Sequence, residues 1–350
     1  MTGKTNPGNF FEDFQIGEEI IHATPRTITE GDTALYTALY GNRFAVPSSD
    51  MFAMSLGYQG APVDDLLVFH MVFGKTVPDI SLNAVANLGY AAGRFAGAVY
   101  PGDTLRSVSR VIGLKENSNG KTGVVYVHST GVNQRDEPVL DYVRWVMVNK
   151  RDASSPAPET VVPDLDPFIG EKELMVPQGL DLSNYDTTLA GSDFKWEDYE
   201  VGDKIDHVDG MTIEEADHML ATRLYQNTAK VHFNQHTEGA GRFGRRIVYG
   251  GHVISLARAL SFNGLANAFH IVAINGGSHL NPTFAGDTIY AWSEVLGKMS
   301  VPDRQDLGAL RLRMVATKDQ GCAAFPDRDE NGKPDPAMVL ELDYAVLMPK

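Results

Sequence analysis

"EDFQIGEEIIHATPRTITEGDTALYTALYGN", residues 12–42, returns 185 residues later as "EDYEVGDKIDHVDGMTIEEADHMLATRLYQN", residues 197–227. The two stretches align without a gap and are identical at 14 of 31 positions, far above the handful that unrelated segments share. A repeat of this length decides the architecture before any single element does. Shorter echoes extend it. "YPGDTL" (100–105) answers "FAGDTI" (284–289), and "LDYVRWVMV" (140–148) answers "LDYAVLMPK" (342–350). Both halves hold the same elements in the same order and close on the same strand.

Within each half the order is helical, then β. "TITE" (27–30) and "TIEE" (212–215) fit a capping box, a threonine with glutamate three residues on, and each opens a helix of about a dozen residues. A second helical pattern runs through "DDLLVFHMVFG" (64–74) and "GGHVISLARALSFNGLANA" (250–268). Then come β-branched and aromatic runs: "TGVVYVHSTGV" (122–132), "VLDYVRWVMV" (139–148), "TIYAWSEVLG" (288–297) and "ALRLRMVAT" (309–317). Helices followed by consecutive strands predict an α+β fold, an antiparallel sheet with its helices on one face.

Between the copies, "RDASSPAPETVVPDLDPFIGEKELMVPQG" (151–179) carries five prolines and no periodicity, as an extended linker does. The expected division is a first unit at 1–160, a linker at 161–189 and a second unit at 190–350.

Composition narrows the function classes. A 43% hydrophobic and 21% charged chain is that of a globular protein, and no apolar run approaches a membrane span. The first residues lack the charged-then-apolar order of a signal peptide. The one cysteine, Cys322, rules out an internal disulfide and fits a reducing cytoplasm; no partner for a reactive thiol lies near it. A net charge of −15 argues against nucleic acid, whose phosphates need a basic face, yet leaves room for a small anion held by local cations. No phosphate-binding glycine loop follows a strand.

The chemistry points to residues 227–251. His232 follows the helix in "LYQNTAKVHFN" (224–234), whereas the first copy, "LYGNRFAVPSS" (39–49), has Pro47 in its place. Imidazole takes and gives protons near neutrality with little tuning. Asn227 has two open readings, an amide that holds water through its carbonyl oxygen or a turn-forming Asx residue, and Asn42 stands at the same place in the first copy. Gly250 and Gly251 open a helix, where free N–H groups and the dipole can stabilise an oxyanion; the bland alternative is a turn needing positive φ. "GRFGRR" (241–246) sets Arg242, Arg245 and Arg246 beside that turn, either as an anion site or as a solvated loop. His232 and His236 have helical ligand spacing, but no acid or cysteine accompanies them, so no metal is assigned. His70, inside an apolar helical stripe, reads as a hydrogen-bonded core histidine, and Asp64 and Asp65 as a helix N-terminal turn.

Helix, histidine loop, glycine-opened helix and "AGDTI" strand together resemble the MaoC-like, (R)-specific enoyl-CoA hydratases of the hot-dog fold. Their fingerprint is similar to Thr-Gly-Asp-x-Asn-Pro-x-His followed by a glycine turn, which places Asn227 at the aspartate, His232 at the histidine and Gly250 at the helix-opening glycine. The resemblance spans both halves and implies a tandem, or double, hot-dog, each sheet wrapped around a helix. It implies a lyase that adds water to an enoyl-CoA, most narrowly a branched dicarboxylic one, using no cofactor beyond the substrate's own coenzyme A. A cytoplasmic homodimer is expected. The sequence departs from the fingerprint at Asn227 and at Ala229-Lys230, so a two-acid mechanism does not carry over. Without a histidine, and with Leu66 near the glycine position, the first half is expected to be scaffold that shapes the acyl pocket. A hot-dog thioesterase and a non-catalytic acyl-CoA-binding protein stay open as alternatives.

Overall fold

The computed structural model describes residues 3–350. The first half runs β1 (Glu19–Ile21), β2 (Arg26–Thr27), α1 (Glu30–Tyr40), α2 (Ala45–Ser48), α3 (Asp50–Ser55) and α4 (Asp65–Thr76). Four long strands follow: β3 (Ala84–Phe95), β4 (Thr104–Glu116), β5 (Thr122–Val132) and β6 (Pro138–Asn149). After the short α5 (Thr187–Ala190), the second half repeats the plan with β7 (Lys204–Asp206), β8 (Met211–Thr212), α6 (Glu215–Leu224), α7 (Gln235–Glu238), α8 (Gly250–Leu260) and α9 (Phe262–Leu265). It ends in β9 (His270–His279), β10 (Thr288–Ser300), β11 (Leu307–Lys318) and β12 (Met338–Pro349). No helix among the described residues is long and apolar enough to cross a membrane.

The fold is a double hot-dog, α+β, and its two sheets are one. Strand order is β1-β4-β5-β6-β3-β9-β12-β11-β10-β7, antiparallel throughout, and the halves meet where β3 pairs with β9. Each half curls around its long helix. Eleven of the twelve residues of α4 are buried, and so is every residue of α8 after Gly250. That is why those stretches read as apolar all round rather than on one stripe. A single hydrophobic core, from Ile28 to Met348, crosses the seam.

The repeated residues make repeated contacts. His22 and His207, 185 apart, each place Nε2 against a strand serine, Ser109 at 2.8 Å and Ser293 at 2.9 Å. Thr27 meets Thr104 at 2.7 Å, as Thr212 meets Thr288 at 2.8 Å. His70 lies fully buried in α4 and bonds Ser255 Oγ at 2.9 Å, the core histidine expected. Asp64 caps α4 through the Leu66 N–H, as a helix-opening acid should.

Two local expectations are corrected. The capping box of α1 is Thr29 with Asp32, two residues beyond Thr27, which is in β2; α6 has Glu214 at its cap and no side-chain cap bond. Pairing of Thr27 and Thr212 with their strand neighbours takes those threonines out of the helix. The segment between the halves is extended but laid on the protein. Ile169, Leu174, Leu180 and Leu182 are buried in a second apolar cluster, and Ile169 N–H bonds Asn275 Oδ1 at 2.8 Å. Cys322 is buried, and burial pushes its thiol up to about 11.

Candidate functional site

Asn227, His232 and Gly250 line one cavity of about 460 Å³ at the seam of the two halves. The second half supplies the loop after α6, the start of α8 and His279 at the end of β9. From the first half come Phe73 of α4, the turn at Val77–Ser81, Tyr90 of β3 and Arg144 of β6.

The loop geometry fixes the histidine. Lys230–His232 form one tight turn, and Ile247 N–H bonds back to Val231 O at 3.2 Å. His232 Nδ1 lies 3.1 Å from Ile247 O, so Nδ1 carries the proton and donates it to that carbonyl. Nε2 is left as an acceptor. The ring packs edge-on to Tyr249, centroids 5.6 Å apart, and burial pushes its pKa down to about 4, against the raising effect of the Ile247 bond. Neutral at physiological pH, it is a base whose lone pair is aimed by its neighbour.

Asn227 is 5% exposed and makes an Asx turn, its Oδ1 accepting the Ala229 N–H at 3.0 Å. Asn42 makes the same turn with Phe44 N–H at 3.0 Å, and its Nδ2 donates to Asp64 Oδ2 at 2.6 Å. Where the first half has Asp64, the second has Tyr249, and Asn227 Nδ2 has no protein hydrogen bond among the described residues. The contacts show the turn-forming reading: the carbonyl is engaged by Ala229 N–H, and the Nδ2 group is the part of the amide without a protein partner.

Tyr249 is the N-cap of α8 and Gly250 its first residue, so the N–H groups there have no partner within the helix. Neither glycine has positive φ. The residue is glycine because of crowding: a Cβ at Gly250 would overlap the His279 ring, and one at Gly251 would overlap Tyr249 and His70. Gly250 lines the cavity, whereas Gly251 is buried and does not.

The three arginines do not line the cavity. Arg246 pairs with Glu215, Arg245 lies 3.9 Å over the Phe284 ring and Arg242 5.0 Å over that of Phe243. The exposed cation on the cavity wall is Lys230. His236 is exposed and lies outside the cavity.

Two wall residues escaped the sequence reading. His279 stands with Nε2 3.3 Å from the Tyr90 hydroxyl; burial, and next the nearby His232, push it down to about 4. Nothing in its surroundings, "GGSHLNPTF", marks it. Arg144 is fully buried, donating to Thr76 Oγ1 at 2.7 Å and Ser81 Oγ at 2.9 Å, and its guanidinium lies 4.3 Å over the Phe73 ring. A signal existed for it. In the aligned strands "LDYVR" and "LDYAV" it matches the buried Val346, a charge where the sister copy has a core residue.

The comparisons agree with this geometry. A family model described as mesaconyl-CoA hydratase matches residues 2–327. The β-methylmalyl-CoA dehydratase of Chloroflexus aurantiacus is 69% identical over 350 residues, covering 100% of this chain and 99% of that one. The mesaconyl-CoA hydratase of Cereibacter sphaeroides is 60% identical over 347 residues, covering 99% and 100%. A crystal structure of a MaoC domain protein dehydratase from Chloroflexus aurantiacus has TM-score 0.98 at 69% identity, covering 100% of this chain and 99% of that one. A Mycobacterium tuberculosis protein with a double hotdog fold has TM-score 0.77 at 25% identity, covering 98% and 99%. The doubled sheet, the histidine-and-glycine cavity and a match along nearly the whole length converge: this chain belongs to the mesaconyl-CoA hydratase family, within the MaoC-like double hot-dog proteins.

Proposed function

We propose that the cavity reversibly hydrates mesaconyl-CoA to β-methylmalyl-CoA. The observation that carries this is the convergence of a neutral His232, its Nδ1 tied to Ile247 O, and the Gly250 N–H at the start of α8 on one cavity. In the hydration direction, a water held by the Asn227 amide gives a proton to His232 Nε2. Its oxygen bonds to the β-carbon, and the displaced π pair moves onto the thioester oxygen. Gly250 N–H receives that oxyanion, aided by the positive end of α8. The enolate then collapses, and its α-carbon takes the proton from His232. The net change is one water added and no group released.

The low pKa of His232 suits this cycle. A base near 4 is ready in its neutral form throughout the neutral range, and as a transient acid it returns the proton readily. Coenzyme A enters as part of the substrate, and no further cofactor takes part. The protein works in the cytoplasm as a homodimer, with Lys230 and the Arg242–Arg246 loop outside the cavity facing the coenzyme's phosphates.

A panel of enoyl-CoA thioesters, followed by loss of the conjugated thioester absorbance, tests the reading. Mesaconyl-CoA is expected to be hydrated fastest, and His232→Ala to lower the rate by about 10²–10⁴-fold. A preference for crotonyl-CoA would overturn the substrate but leave hydration standing. One observation favours a second reading, thioester hydrolysis: Glu238 is an acid on the cavity wall. Release of free thiol from mesaconyl-CoA would establish it.

A further inference from the structure

Among the described residues, Arg144 has no carboxylate within ion-pair distance. A fully buried arginine is ordinarily paired, because an uncompensated buried charge is expensive. Three neighbours offset part of the cost: the C-terminal end of α4, the hydroxyls of Thr76 and Ser81, and the Phe73 face. They leave donors over. Arg144 Nε is buried without a hydrogen-bond partner, and so is Nδ2 of Asn87, whose Oδ1 lies 3.5 Å from Arg144 Nη1. Two orphaned donors on neighbouring side chains that line the cavity call for an acceptor.

The cavity already has its polar groups for water and for the thioester oxygen at His232, Asn227 and Gly250. His232, Tyr249, Phe73 and Arg144 follow one another along the wall, with the rings of His232 and Tyr249 5.6 Å apart, those of Tyr249 and Phe73 5.7 Å apart, and the Arg144 guanidinium 4.3 Å from the Phe73 centroid. Elimination of water from β-methylmalyl-CoA needs the hydroxyl on the carbon β to the thioester, so the free carboxylate is bonded to that same carbon. In the trans alkene it points away from the thioester. We infer that Arg144, with Asn87, binds the free carboxylate of the acyl group, and that this first-half arginine selects dicarboxylic over monocarboxylic enoyl thioesters. The inference rests on the substrate reading above. It also relocates the anion-binding role expected of the Arg242–Arg246 loop, as far as the acyl carboxylate is concerned. A planar guanidinium matches a carboxylate with two parallel bonds, which an ammonium cannot do.

The test uses mesaconyl-CoA and 2-methylcrotonyl-CoA, which differ only in a carboxylate against a methyl. Wild-type protein, Arg144→Lys and Arg144→Met are assayed for kcat/KM on both. The ratio of mesaconyl to 2-methylcrotonyl activity is expected to fall about 10²–10³-fold in Arg144→Met, with Arg144→Lys intermediate. A ratio unchanged from wild type, whether both activities drop or neither does, overturns the inference and assigns Arg144 to holding the end of α4. Failure of the parent reading looks different: wild-type protein would then show no preference for mesaconyl-CoA. Should either variant fail to fold, a structure of the wild-type protein with β-methylmalyl-CoA decides. A carboxylate within about 3.2 Å of the Arg144 guanidinium supports the assignment, and one paired elsewhere refutes it.

Discussion

The hydroxyls of Tyr40 and Tyr225, residues at the same place in the two copies, meet 2.6 Å apart in the buried centre of the molecule. Tyr40 also lies 2.9 Å from His252 Nδ1, and burial pushes that imidazole down to about 3, leaving it neutral. With Nδ1 of the neutral ring as the acceptor, the chain of donors runs from Tyr225 to Tyr40 to His252. Equivalent positions therefore carry unequal weight. Tyr40→Phe strands both a hydroxyl donor and a ring acceptor, at about 1–3 kcal/mol each, whereas Tyr225→Phe removes one bond worth about 1 kcal/mol. Denaturant unfolding of the two variants is expected to rank them in that order; equal losses would refute the direction of the chain.

The pH dependence of kcat/KM follows from His232. Its folded value of about 4 puts the proposed base in its neutral form across the whole neutral range. The acidic limb of the profile is expected near pH 4, with a plateau from about 5 upward. An acidic limb centred near an ordinary histidine value, about 6.5, would show the base to be solvated or elsewhere.

Acid should also weaken the fold. His70 and His252 are pushed down to about 3, and His207, His232 and His279 to about 4, in each case chiefly by burial. In the unfolded chain these groups take a proton near 6.5, so their contribution is complete above that pH and is lost as pH falls toward 4. Each supplies a slope of up to about 1.4 kcal/mol per pH unit in that window. Asp64 acts oppositely, because burial raises it to about 6 and its neutral form is favoured in the fold. Five groups outweigh one: Tm is expected to drop between pH 6.5 and 4.5, and a Tm constant over that range would contradict the burial of these rings.

Asn227→Asp separates the turn from the amide. A carboxylate accepts the Ala229 N–H as the amide oxygen does and keeps the turn, while its charge at a 5% exposed site is expected to cost about 1–3 kcal/mol of stability. The free amide donor is lost, and kcat is expected to fall at least tenfold. Full activity would mean that the turn is all this residue provides.

Gly250→Ala drives a methyl into the His279 ring. Overpacking of this kind costs about 1–3 kcal/mol. Displacement of the helix start should lower kcat about 10²–10³-fold, the typical effect of losing one oxyanion donor. Circular dichroism at the assay temperature checks that the loss is not unfolding.

Much of this was legible in the sequence, because duplication and strand patterning are properties of runs. Residues 122–132 and 139–148 are strands almost to the residue. The loop pair Asn227 and His232 was readable for the same reason, since the sister copy with Asn42 and Pro47 is a control written into the chain. Single residues on strands were harder. His279 and Arg144 enter the cavity through the curl of the sheets and the β3–β9 pairing, which bring together positions far apart in the chain. The helix cap went to the wrong threonine because "TPRTITEGD" offers several, and only the pairing of Thr27 with Thr104 decides among them.

The β3–β9 seam changes what dilution can do to this protein. A cavity walled by two separate polypeptides falls apart when their concentration drops below the dissociation constant. Here residues 150–190 tether the halves, so the encounter that completes the cavity is intramolecular and set by the span of the tether rather than by abundance. A scarce copy in a crowded cell is thus as complete as an abundant one.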